Sequence, residues 1–208
     1  AGDCVAEAGW IAERVALHAV KRRAVACAIT NGGPHTAAGW AAHYLLFASR
    51  LAGRAAGPVV PPDPAIHGHS VPRDELLAIG GFRENLRIGE DTDLAARLHA
   101  RGVEIFFHPA VRTAHFGPTG TIAMLVDQFR RGRRRARTTR RMRSGLALLA
   151  ALPRDMTFRL AWVVREAWRN APAERWRVTA IMPWLAAGAA ANCTGWVYEQ
   201  LRIPRATR

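Results

Sequence analysis

The sequence is poor in lysine, cysteine and acid, and each shortage excludes something. Lys21 is the one lysine among thirty basic residues, so the cationic surface consists of guanidinium groups, which stay charged and fork onto phosphate oxygens. The three cysteines, Cys4, Cys27 and Cys193, are odd in number, far apart and form no CxxC. That argues against a disulfide framework or a thiolate zinc site and fits a reducing compartment. Only sixteen acidic side chains oppose the bases, leaving a net charge of +14, which favours partners carrying phosphate: nucleic acid, anionic lipid or a phosphorylated small molecule. The start carries neither a basic n-region nor an apolar h-region, so no signal peptide is visible. Its opening Ala-Gly-Asp-Cys without methionine reads as a truncated start. What remains is 50% apolar and 22% charged over 208 residues. This globular composition excludes a disordered tail, a collagen-like repeat and a polytopic membrane protein.

Patterning through residue 116 alternates helix and strand. Residues 10–20 have helical spacing with a broad apolar stripe, and 24–30 (AVACAIT) read as a buried strand closed by Asn31-Gly32-Gly33-Pro34. A second helix is expected over 37–50, a loop over 53–64, a strand over 65–71, and a short helix opened by Pro72 and stopped by Gly80-Gly81. Over 90–101 carboxylates occupy the first turn and arginines the last, with Gly102 as a left-handed cap, so the start, dipole and stop signals of a helix agree. Strands are expected over 103–107 and 111–116, broken at Pro109. After Gly120 no strand signal appears, which places a boundary near residue 120 between an α/β segment, 1–120, and a basic, tryptophan-rich helical tail, 121–208.

Several residues could carry chemistry. Glu90 and Asp91 stand at a helix start, where backbone N–H groups and the dipole keep a carboxylate ionised and held, as a base or as a capping acid. His67 and His69 share one face of the expected strand and would suit zinc if a third ligand converged. None is evident, so they are expected to line a loop or an acceptor groove without metal.

The segments AGDCVAEAGW, VACAITN, VPRDELLAIGGF, RIGEDTDLAARLHARGVEIFFHP, AHF and QFRRG, in this order and spacing, resemble the second half of a family 2 glycosyltransferase catalytic domain. The resemblance implies a partial GT-A fold, a Rossmann-like mixed sheet with flanking helices, followed by an all-helical segment. It implies inverting transfer of a sugar from a nucleotide-sugar donor to a hydroxyl on a glycan or lipid acceptor, assisted by Mn²⁺ or Mg²⁺. Asp91 matches the catalytic base and Glu90 its supporting neighbour. Asp3 matches the last acid of the family's DxD motif, with Ala1 where the first would stand, and His115 matches a metal-ligating histidine. Gly81 and Phe82 of the GGF turn, and Gln128 and Arg131 of a QxxRW-like segment in which Gly132 replaces Trp, match donor- or acceptor-binding positions. That replacement speaks against processive polymer synthesis. The nucleotide-binding first half is missing from the match, so the chain alone is expected to turn over little.

Nine arginines between 130 and 143 admit an alternative, a non-catalytic basic module binding nucleic acid or anionic membrane. The run has no stacking aromatic besides Phe129 and no accompanying RNA- or DNA-binding motif. Tryptophans follow at 162, 168, 176, 184 and 196, and 178–197 carry no charge, leaving spanning, interfacial and buried-helix readings open. No nucleic acid is expected as partner. The expected location is cytoplasmic, at the inner face of the cell membrane.

Overall fold

A computed structural model describes residues 3–21, 24–60, 63, 68–86, 89–139 and 145–202. Its chain divides into two compact units, 1–30 with 49–115 and 169–172, and 31–48 with 116–168 and 173–208. The expected boundary near 120 lies close to the switch at 115/116, but the division is not a single cut, because residues 31–48 group with the later helices.

The first unit is α/β. It contains β1 (Cys4–Ala6), α1 (Trp10–Lys21), most of β2 (Ala24–Gly33), β3 (Gly57–Val59), α3 (Arg73–Ala78), α4 (Glu90–Ala100) and nearly all of β4 (Ile105–Phe116). The four strands form one mixed sheet in which β4 lies between β1 and β2 and also pairs with β3. β3 runs antiparallel to the start of β4, with Val59 opposite Ile105, and β1 antiparallel to its end, with Cys4 opposite His115. Residues 24–29 of β2 are all buried, as expected for a strand covered on both faces. Ala24, Ala26 and Ala28 pack with Ile105 and Phe107 of β4 against Leu94, Ala95 and Leu98 of α4. The small alanines let α4 lie close on the sheet, and the larger side chains of α4 and β4 fill the space between.

Four local expectations are corrected. The loop expected over 53–64 contains β3, because Gly57-Pro58-Val59 finds the open edge of β4. Over 68–71 the expected strand reduces to one bridge between Ser70 and Val25. Pro109 does not break β4, since it falls between the stretches paired with β3 and β1, where its missing N–H deprives neither antiparallel ladder of a bond. Pro72 caps α3 rather than beginning it.

The second unit is helical, with α2 (Ala37–Phe47), α5 (Thr121–Thr138), nearly all of α6 (Gly145–Asn170), α7 (Arg175–Ala180) and α8 (Met182–Arg202). α8 packs along α5 and against α2. Its uncharged face is buried through Leu185, Gly188, Ala189, Asn192, Cys193, Gly195 and Trp196, so the buried-helix reading of 178–197 holds within this unit. Ile181 ends α7 before α8 starts, and among the described residues no helix is long and apolar enough to cross a membrane.

Candidate active site

Two groups of expected site residues occur in the α/β unit. The first forms where β1 meets the end of β4. Buried positions along β4 are Ile105, Phe107, Val111 and His115, so the alternation of the strand turns the imidazole to the covered side. Directly opposite, Cys4 presents its side chain to the same face. Asp3 precedes the strand in a turn. Its Oδ2 lies 3.3 Å from His115 Nε2, and its Oδ1 accepts from the Cys4 thiol at 3.4 Å. Partial burial works against ionisation of Asp3, but the hydrogen bond from Cys4 and the neighbouring His115 outweigh it and hold the carboxyl below the usual carboxylate range. Burial, then the bond to Asp3, pushes the Cys4 thiol up.

One ligand atom from each of Asp3, Cys4 and His115 lies within 4.8 Å of the others. Carboxylate oxygen with imidazole nitrogen fits Mn²⁺, and a thiol beside them adds affinity for Zn²⁺. A nitrogen and sulfur donor pair does not suit Mg²⁺, which takes oxygen ligands. Asp3 and His115 were expected from the sequence. Cys4 was not, because alternation along a regular strand would send residues 3 and 4 to opposite faces, and only the turn at Asp3 brings them together.

The second group surrounds the start of α4. Gly89, at φ 79°, ends the approach in the left-handed region, which glycine enters at little cost. Glu90 is exposed and Asp91 half-buried, and Asp91 Oδ1 accepts the Thr92 backbone N–H at 2.8 Å. Farther along α4, Arg97 binds Asp93, one turn before it, at 2.8 Å and donates to the carbonyls of Ile79 and Gly81, each at 2.7 Å. Arg97 thus ties the Gly80-Gly81 turn to the helix carrying Asp91 and leaves Phe82 53% exposed. Helix periodicity marked Arg97 only as a favourable charge in the last turn.

Gln128 and Arg131 belong to the helical unit. Gln128 is buried and accepts from Asn192 Nδ2 at 3.4 Å, while Arg131 pairs with Asp127 at 2.7 Å. At Gly132 a Cβ would overlap the Asn192 carbonyl, so a tryptophan has no room there. His69 is described but takes no part in the metal-ligand cluster. His67 and Ala1 lie outside the described residues. Comparison with protein-family models, curated proteins and solved structures finds no match to this chain.

Proposed function

We propose that this chain is the acceptor-side part of an inverting, metal-assisted glycosyltransferase of GT-A type. In this reading Asp3 and His115 hold a divalent cation and Asp91 is the general base. Its main support is the 3.3 Å approach of Asp3 Oδ2 to His115 Nε2, made by residues from opposite ends of the α/β segment that the resemblance had already implied as ligands. A chain that only binds polyanions has no need of this pair.

Bound Mn²⁺ would supply positive charge to offset the negative charge developing on a departing nucleoside diphosphate. The protein's own part is proton transfer and positioning. Asp91 stands in the first turn of α4 and is oriented by the Thr92 N–H. It takes the proton of an acceptor hydroxyl as the oxygen attacks C1 from the face opposite the diphosphate. Glu90 beside it is the supporting acid of the pair. Arg97 fixes the turn from which Phe82 offers an exposed ring face to a sugar.

Titration with Mn²⁺ followed by electron paramagnetic resonance should find one site, weakened at least about tenfold by His115→Ala or Asp3→Asn. In a protein that joins this chain to its nucleotide-binding half, Asp91→Asn should lower kcat at least about 100-fold with little change in donor KM. Mn²⁺ binding indifferent to both ligand substitutions, or transfer near the wild-type rate in Asp91→Asn, would refute the reading.

A further inference from the structure

Helix α5 carries a strip whose two halves differ in chemistry. At spacings of three and four, Ile122, Leu125, Val126 and Phe129 are followed by Arg130, Arg133, Arg134 and Arg137, so all eight lie along one side of the helix. The arginine half starts about 12 Å along the axis from Ile122. The apolar half is not closed off as a core would be, since Ile122 is 79% and Val126 42% exposed. Between Val126, Phe129 and Thr194 of α8 runs a groove of about 400 Å³, and a second of about 300 Å³ is lined by the four arginines. Arg130 and Arg133 line both grooves, so the apolar and cationic spaces adjoin.

The cationic end is organised. Glu199, buried on α8, receives Arg133 Nε at 2.6 Å and Arg137 Nε at 2.9 Å, fixing two guanidinium groups with one carboxylate. Arg130 and Arg134 are exposed, and no acid pairs with either among the described residues. At the apolar end the Trp184 indole donates to Thr121 Oγ1 at 3.2 Å, placing an amphipathic ring where an interface-seeking residue would sit.

Separated apolar and cationic zones of this size fit one ligand chemistry, an acyl chain joined to an anionic phosphate. Nucleic acid fits less well, because the strip's single aromatic, Phe129, is packed 5.6 Å from the Tyr198 ring and the apolar half offers nothing that reads a base. We propose that this strip of α5 docks on the anionic phospholipid surface of a membrane, with lipid phosphates on Arg130 and Arg134 and acyl chains against Ile122 and Val126.

The test is co-sedimentation of the full chain with vesicles of phosphatidylcholine alone and of phosphatidylcholine mixed with phosphatidylglycerol. Binding should require the anionic lipid and fall at least about tenfold in Arg130→Glu/Arg134→Glu. Ile122→Asn/Val126→Asn should lower it about fivefold or more while leaving retention on inorganic polyphosphate unchanged. All four positions are exposed, so the variants should keep the wild-type circular dichroism. As an independent readout, lipids with brominated chains should quench tryptophan emission in the wild type and do so less in Trp184→Phe. Vesicle binding unaffected by the apolar pair would leave only a polybasic patch and overturn the proposal. So would no binding to anionic vesicles, or an oligonucleotide that displaces them through the same arginines.

Discussion

Cys4 stands opposite His115 and bonded to Asp3, so in the proposed cation site its thiol would set which ion is preferred. Soft donors raise affinity for Zn²⁺ far more than for Mn²⁺. Cys4→Ser should therefore lower Zn²⁺ affinity at least about tenfold and leave Mn²⁺ affinity within about twofold, both measured by competition with a chromophoric chelator. Equal losses for the two ions would mean that the thiol serves only to hold Asp3 in place. At this scale residue type and motif order singled out Asp3 and His115, whose side chains the fold brings to 3.3 Å. Cys4 escaped because a lone cysteine outside any CxxC carries no positional signal. Gln128 and Arg131 fitted a motif by order, yet each has a partner within the helical unit, Asn192 and Asp127.

Elements were readable wherever several local signals agreed. α4 has acids first, bases last and a left-handed glycine after it, and it forms over Glu90–Ala100 as expected. β3 was missed because Gly57-Pro58-Val59 has no strand pattern of its own and is extended only through β4. Helices α5 and α8 show the converse, a local cost repaid at longer range. Glycine within a helix is unfavourable by about 1 kcal/mol relative to alanine, yet a Cβ at Gly132 would overlap the Asn192 carbonyl, and one at Gly195 the Phe129 carbonyl. Gly132→Ala should therefore destabilise the chain by about 1–3 kcal/mol in urea unfolding, against the gain that helix propensity alone would give. A rise in stability would show that the helices can separate without loss.

For the whole molecule, the excess of base over acid makes the few acids structurally important. Arg135 reaches Asp155 at 3.0 and 2.6 Å, and Glu199 joins Arg133 and Arg137. Hydrogen bonds from Arg135, and secondarily from Cys193, hold the Asp155 carboxyl below its ordinary range against the opposing effect of burial, and Arg133 and Arg137 do the same for Glu199. A carboxyl depressed in the folded state adds stability that is complete above its unfolded pKa of about 4 and is lost as pH falls through the folded value. The melting temperature should thus fall as pH drops from about 5 to 2, more steeply at low salt because the chain already carries +14 at pH 7. Asp155→Asn/Glu199→Gln should lower it by about 4–8 °C at pH 7 and flatten the acid limb. An acid limb as steep as the wild type's would relieve these pairs of that role.

Composition and periodicity by themselves determined an α/β segment followed by helices, a strongly cationic surface, and carboxylates at the start of α4. These depend on neighbours within a few residues, where backbone geometry and solvent preference act directly. Tertiary structure alone decided that Asp3, Cys4 and His115 converge, that residues 31–48 join the later helices, and that the uncharged stretch near the end lies against α5. Each of those outcomes requires a partner surface distant in sequence, and a linear pattern records that a face is apolar or a side chain can bind without recording what it will meet.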